Sequence, residues 1–184
     1  LSERSCYDEG KRFAETCVAT YRQVYGIDAK IARVFTTYGP HMKLFDKQLI
    51  PDFIINAIDG KDLVIYGDES FSTSLCYVTD MINGIARLMG TGPEMIVANI
   101  GGEQAIRYAD VAQMIMKMTK STSRLIFEKP LLFLTQKGLP DIALAKDKLE
   151  WLPLVTLEDG LRKTIDYIIA RRESLLFGNF GASR

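Results

Sequence analysis

Residues 6–40 read C-Y-D-E-G-K-R-F-A-E-T-C-V-A-T-Y-R-Q-V-Y-G-I-D-A-K-I-A-R-V-F-T-T-Y-G-P, and this stretch decides the fold. From 6 to 25, Phe13, Cys17, Val18, Tyr21 and Val24 recur at spacings of three, four or one, the period of an amphipathic helix. Gly26 ends it, since glycine takes the left-handed conformation of a helix terminus at least cost. Residues 29–35, with K-I-A-R-V-F at their core, are short, apolar and rich in β-branched side chains. Bounded by Gly26 and by Tyr38-Gly39-Pro40, they predict a mostly buried parallel strand.

Outward from there the same grammar repeats. A loop spans 36–46, a short helix 49–58 closes at Asp59-Gly60, and a strand 63–66 stops at Gly67-Asp68. Residues 75–78 are extended, and Thr79 is read as the N-cap of a helix running to Met89, with Gly90 at its end. A buried strand follows at 95–100, before Gly101-Gly102. Next come a helix at 109–118 with Val111, Ile115 and Met118 on one face, and an extended piece at 124–127. Helices at 141–149 and 157–173 complete the series, and the tail G-N-F-G-A-S-R is read as frayed. Strands alternating with helices define an α/β architecture.

The 184 residues, 47% hydrophobic, suffice for a buried core of one domain or of one domain and part of another. Lys and Arg number 23 against 23 Asp and Glu, so no global field attracts nucleic acid or an acidic membrane. No window approaches 18 uncharged apolar residues, which excludes a transmembrane helix, and L-S-E-R-S-C-Y-D-E-G-K-R is not a signal peptide. Cys6, Cys17 and Cys76 are odd in number, far apart and in no C-x-x-C pair, as in a reduced, cytoplasmic protein. The chain starts at Leu1, on the approach to a helix, which reads as a piece of something longer.

Tyr7 and Lys11 are four residues apart, one helical turn, on one face. An ammonium beside a phenol favours the phenolate, the form that takes a proton, and the same lysine can hold a sugar hydroxyl of a bound cofactor. Alone, this spacing would arise by chance about as often as not.

Its context is more specific. R-S-C-Y-D-E-G-K-R, I-A-R-V-F-T-T-Y-G-P-H-M, V-I-Y-G-D, C-Y-V-T-D-M-I-N-G-I and N-I-G-G occur in that order, with P-D-I-A-L-A-K-D-K-L-E-W and L-E-D-G-L-R-K-T-I further on. From about residue 4 to 172 the series resembles the C-terminal half of the nucleotide-sugar enzymes among the extended short-chain dehydrogenase/reductases. Within these it is most similar to UDP-glucuronate decarboxylases, with dTDP-glucose 4,6-dehydratases close behind and sugar 4-epimerases as a further alternative.

The resemblance implies the C-terminal portion of a Rossmann-like NAD-binding fold plus a small mixed α/β substrate domain. Residues 1–46 would end the dinucleotide-binding domain. Residues 47–184 would form mainly the substrate-binding domain, with helix 79–89 and strand 95–100 returning to the nucleotide-binding domain. Tyr7 and Lys11 would be the catalytic pair and touch the nicotinamide ribose of NAD; Thr37, Tyr38 and Pro40 would approach the nicotinamide end. Tyr21, Thr36, His41 and Thr73 would lie toward the nucleotide-sugar. Tyr7 would take the proton of the sugar 4-hydroxyl during oxidation, and the 4-keto sugar would then lose carbon dioxide or water before re-reduction. Helix 7–24 would join a four-helix bundle between the subunits of a homodimer.

Departures from the family pattern are equally specific. Thr36-Thr37-Tyr38-Gly39-Pro40-His41 stands where the family commonly has Asn-Thr-Tyr-Gly-Pro-Arg. Thr73 stands at a diphosphate-gripping arginine, and Gln136-Lys137-Gly138-Leu139 at a stretch that often carries two. Since diphosphates are clamped by fork-like arginine bonds, either the substrate differs or part of the chemistry is lost. No G-x-G-x-x-G or G-x-x-G-x-x-G occurs, so the pyrophosphate cradle of a dinucleotide is missing from these 184 residues. Weak or absent NAD binding and no turnover follow as expectations for the isolated chain. A silent scaffold acting by association is the alternative from another class.

Among the remaining residues, His41 lacks Cys or His at ligand spacing, which argues against zinc and for a solvated loop or site edge. Met114, Met116 and Met118 read as core packing ahead of a partner-binding stripe. Arg171-Arg172 reads as a helix-end pair suiting the dipole. Asp80 reads as a cap or a local ion pair, with a supporting site role left open, and Trp151 as packing between the last two helices.

Overall fold

The computed structural model describes residues 5–44, 48–94, 97–130 and 138–179, with side chains from Cys6 to Arg171 within them. In chain order the elements are α1 (Ser5–Tyr25), β1 (Ile31–Val34), β2 (Thr37–Tyr38), α2 (Leu49–Ile58), β3 (Leu63–Tyr66), β4 (Ser72–Thr73) and β5 (Cys76–Tyr77). They continue with α3 (Val78–Met89), β6 (Val97–Ile100), β7 (Ile106–Arg107), α4 (Tyr108–Thr119), β8 (Leu125–Glu128), α5 (Ala143–Leu149) and α6 (Leu157–Asn179). The strands pair two by two: β1 with β6, β2 with β5 and β3 with β8 in parallel, β4 with β7 antiparallel. The α/β reading stands, and three of the four pairings are parallel, as crossover helices require.

Two apolar cores form. One gathers α2, α4 and α6 around β3, with Ile54, Leu63, Val111, Ile115 and Leu161 fully buried. Met114, Met116 and Met118 are partly buried against it, the core packing foreseen for them. The other lies under the β1–β6 pair, where Met81 and Leu88 of α3 meet Ile100, Ala145, Leu149 and Trp151. Trp151 therefore packs among α3, β6 and α5, not between the last two helices, and its Nε1–H donates to the Asp80 carbonyl at 2.9 Å. Gly84 makes room for it: a Cβ there would lie 2.9 Å from Trp151 Cε2 and 2.7 Å from Ile100 Cγ2.

Several expectations need correction. β1 is not mostly buried: Arg33 and Val34 are exposed, because β6 covers only one of its edges among the described residues. The helix after β5 begins at Val78 with Tyr77 in the cap position, so Thr79 is not its N-cap; the chain leaves the strand extended at Tyr77 (ψ 143°) with no spacer. α5 starts at Ala143, preceded by Asp141, whose carboxylate accepts the Ala143 N–H at 2.9 Å. α6 runs past residue 173 to Asn179, so Arg171 is not in its last turn; its guanidinium lies 5.5 Å from the Tyr167 ring centroid. The Arg172 side chain, Gln136 and Lys137, the start of strand 95–100, the 46/47 domain boundary and the residues after Asn179 lie outside the described parts. No helix among the described residues is long and apolar enough to cross a membrane.

Gly84→Val drives its branches into Ile100 and the rigid indole of Trp151, and overpacking of this kind costs about 2 kcal/mol. The expected result is a lower urea midpoint with an unchanged slope. A wild-type midpoint would show that α3 does not seat on Trp151 as described.

Candidate functional site

At the N-terminal end of α1, Tyr7 and Lys11 stand side by side, with the Lys11 ammonium 5.4 Å from the Tyr7 ring centroid. Both are exposed, and together with Asp8, Arg12, Glu15 and Arg33 they line an open depression of about 450 Å³. Glu15 and Arg33 close its far side through a two-pronged pair: Arg33 Nε donates to Oε1 at 2.7 Å and a terminal amine to Oε2 at 2.6 Å. That hydrogen bonding holds the Glu15 carboxyl below its ordinary range. Because Arg33 serves Glu15, Lys11 is the cation of the depression that makes no ion pair among the described residues.

The turn after β1 forms a second polar group. Thr73 is buried and donates to the Ser74 carbonyl at 3.2 Å, which leaves Thr36 to donate across 3.3 Å to the Thr73 oxygen. Thr37 donates to the Phe35 carbonyl at 3.0 Å, and Pro40 is half-buried. Tyr38 is 1% exposed; its hydroxyl reaches the Leu157 carbonyl at 3.4 Å and its ring meets Tyr77 edge-on. Burial pushes the Tyr38 phenol well above its ordinary value. The side chain is therefore a core group, and contact between this turn and a cofactor would run through backbone. At Gly39 (φ +151°) a Cβ would run into the Val78 side chain, so glycine there lets the turn approach α3.

Not every expected residue joins these groups. Tyr21 lies fourteen residues along α1 from Tyr7, about 21 Å at 1.5 Å per residue. Its ring meets that of Tyr25 at a tilt, with centroids 5.1 Å apart. Thr73 is buried, with its hydroxyl hydrogen-bonded inside the protein. His41 is exposed, in left-handed backbone (φ 67°), with Nδ1 3.2 Å from the Tyr167 hydroxyl. No three metal-ligating side chains cluster among the described residues. Cys76 is buried, its thiol pushed up to about 12 by burial first and by Asp80 second, and so is inert as a nucleophile.

Glu15 and Arg33 were not singled out in the sequence. Glu15 follows Lys11 by one turn, a legible signal, whereas Arg33 arrives from the neighbouring strand and only the fold brings it in. Asp80 proves a clamp: its carboxylate accepts the backbone N–H groups of Leu154 and Val155 at 2.9 and 2.8 Å.

A helix carrying Tyr-x-x-x-Lys that feeds a parallel strand and a Tyr-Gly-Pro turn defines the closing part of a Rossmann-like, extended short-chain dehydrogenase/reductase fold. The chain belongs to the NAD dependent epimerase/dehydratase family, whose model matches residues 1–101. It is 36% identical over 167 residues to UDP-glucuronic acid decarboxylase 1 of Xenopus tropicalis, covering 91% of this chain and 39% of that one. UDP-glucuronic acid 4-epimerase from Bacillus cereus, solved with UDP-glucuronic acid and NAD, superposes with a TM-score of 0.78 at 28% identity. That match covers 85% of this chain and 50% of the other. dTDP-glucose 4,6-dehydratase from Bacillus anthracis, solved with NAD, gives 0.82 at 25% identity over 94% and 55%. The chain thus spans less than half the length of the curated relatives it matches.

The Glu15 carboxyl is depressed in the folded state, so its tie to Arg33 is complete above its ordinary range near 4.5 and is lost as pH falls through the lowered folded value. An exposed pair contributes at most about 1 kcal/mol. Arg33→Ala should therefore lower α1 amide protection a few-fold at neutral pH and remove its acid dependence. Equal protection in both proteins at every pH would show that the pair does not seat α1.

Proposed function

We propose that this chain supplies the catalytic helix and the substrate domain of an NAD-dependent nucleotide-sugar lyase, a decarboxylase acting on UDP-glucuronate. The pairing of Tyr7 with Lys11 in an open depression carries this reading. Identity to decarboxylase relatives and the R-S-C-Y-D-E-G-K-R match favour decarboxylation over 4,6-dehydration or 4-epimerisation. Residues 1–46 with helix 79–89 and strand 95–100 belong to the nucleotide-binding domain, and the remainder of 47–184 is mainly the substrate domain. The parallel pairing of β1 with β6 supports that return. The three free thiols support a cytoplasmic setting.

The residues present fit the nicotinamide-ribose end of NAD and no more. Lys11 would hold a ribose hydroxyl, with Thr37 and the backbone of residues 38–40 nearby. NAD, when bound, supplies reversible oxidation at the sugar C4. Tyr7, as phenolate, takes the proton of the 4-hydroxyl and later returns it, while the Lys11 ammonium stabilises the negative phenolate. Thr36 and His41 lie on the substrate side. Once C4 is a ketone, a C5 carboxylate makes a β-keto acid; the bond to that carboxylate breaks and carbon dioxide leaves. With a 6-hydroxyl in its place, water would leave across C5 and C6 instead.

Calorimetric titration of NAD into this chain should show no micromolar binding, for want of a pyrophosphate cradle. In the intact enzyme, carbon dioxide release from UDP-glucuronate should fall about 10²–10⁴-fold in Tyr7→Phe. Micromolar NAD binding by the chain alone, or conversion of UDP-glucuronate without carbon dioxide, would sink the respective part of the reading.

Association is a second reading that α1 favours. Phe13, Tyr21, Val24 and Tyr25 on it are all more than half exposed, enough apolar surface to seat a helix of a second copy. A homodimer through α1 should appear in size-exclusion chromatography as a concentration-dependent shift. A strictly monomeric elution across concentrations contradicts both the dimer and the silent-scaffold alternative.

A further inference from the structure

Lys11 lies midway along a short row of α1. Tyr7 is four residues before it and Glu15 four residues after, so a phenol and a carboxylate each stand one turn, about 6 Å of helix rise, from its position. A full negative charge attracts an ammonium more strongly than a neutral phenol does, and lysine–glutamate pairs at this spacing form on exposed helices. Yet the Lys11 ammonium lies 5.4 Å from the Tyr7 ring centroid, and it makes no ion pair among the described residues.

Glu15 is engaged elsewhere. Arg33 reaches it from β1 and donates to both carboxylate oxygens, through Nε at 2.7 Å and a terminal nitrogen at 2.6 Å. A planar guanidinium fits a carboxylate in this two-pronged way, which an ammonium cannot reproduce. The Arg33 backbone is fixed independently of α1, in the parallel register of β1 with β6, opposite Asn99. Asn99 is itself held, donating to the Asp141 carbonyl at 2.8 Å. Of the other charges near the row, Arg12 turns to Glu9 at 3.9 Å, and Asp8 is exposed beside the depression.

We propose that Arg33 is a positioning residue for the reaction: by occupying both oxygens of Glu15, it keeps the Lys11 ammonium on Tyr7. The inference rests on the nucleotide-sugar reading for its consequence, since that reading makes Tyr7 the base and Lys11 its cation. Without Arg33, the Glu15 carboxylate turns its charge on Lys11 and draws the ammonium toward the C-terminal end of α1. The phenolate of Tyr7 then loses its neighbouring cation, and the phenol gives up its proton less readily. Removing Glu15 together with Arg33 takes away the rival acceptor and leaves Lys11 where it was. That recovery separates positioning from seating, because the double variant lacks the tie between α1 and β1 as fully as the single one.

Arg33→Met keeps the stem and loses the donors, and Glu15→Gln/Arg33→Met loses the rival charge as well. Carbon NMR of the Lys11 ε-methylene, assigned by its absence from Lys11→Arg, follows the ammonium through the carboxylate range at low ionic strength. In the wild type and the double variant this resonance should move with Asp8 and Glu9 alone, whereas Arg33→Met should add a step in the ordinary glutamate range. The Tyr7 phenol midpoint, assigned with Tyr7→Phe, should rise by about 0.3 in Arg33→Met and return to the wild-type value in the double variant. No added step in Arg33→Met, or one that persists in the double variant, overturns the proposal. Tyr7 shifts of the same size in both variants, as loss of the fold in both would also give, ascribe the pair to seating α1 alone and overturn it too. Neither readout needs NAD or a sugar, so failure here leaves the nucleotide-sugar reading to its own test of carbon dioxide release.

Discussion

Asp80 is where the two cores are joined. Its carboxylate accepts two consecutive backbone N–H groups, of Leu154 and Val155, and its carbonyl accepts the indole N–H of Trp151. Hydrogen bonds to an ionised acceptor are roughly twice as strong as neutral ones, so one side chain fixes the course of the segment between Trp151 and α6. Everything downstream inherits that course. Gly160 then reaches the Tyr38 hydroxyl and the Tyr77 ring, where a Cβ would stand 2.9 Å from Tyr77, and α6 comes to lie along the turn that carries His41. The position of the polar turn relative to the last helix is a consequence of how α3 holds the chain at 154–155.

What was legible in the sequence was the local part. Gly26 closes α1 with φ +65° and donates to the Arg22 carbonyl at 2.9 Å, the geometry its position announced. α2 and β3 appear where periodicity placed them, because their apolar residues face one core. Tyr7 and Lys11 were legible too, since four residues on a helix is one turn whatever surrounds it. The burial of Tyr38 was not: only the arrival of Gly160 and Tyr77, distant in sequence, covers the phenol. Thr79 looked like a cap because its residue type suits one, but the strand runs straight into the helix. The His41–Tyr167 contact links residues so distant in sequence that no local pattern could announce it.

α1 shows why magnitudes matter here. A 21-residue helix is long enough to be marginally stable on its own, and among the described residues its attachment includes the Glu15–Arg33 pair, the Arg22 contacts with Ala29 and Asp28, and the partly buried Cys17 and Val18. Exposed ion pairs contribute about 0–1 kcal/mol. Burying a large apolar side chain contributes about 1.5–3 kcal/mol, and Phe13, Val24 and Tyr25 are each more than 60% exposed. The apolar surface α1 leaves open therefore outweighs the ion pairs that tie it down. Whatever covers that surface, and not the salt bridge, would decide how rigidly Tyr7 and Lys11 are held.

The open seating of α1 bears on chemistry as well as stability. Proton abstraction from a sugar hydroxyl needs the base within hydrogen-bond reach of its proton and water excluded from the developing charge. Tyr7 is 61% exposed and sits on the helix with the weakest attachment, so it has the right neighbour but neither of those conditions. Water in the open depression screens the Lys11 ammonium, and drying the site strengthens its field at Tyr7. On the proposed reading, the pair would act as a base once a covering surface dries it and stiffens α1. One event supplies both, because the residues that lie open around the site are on the helix that carries the base.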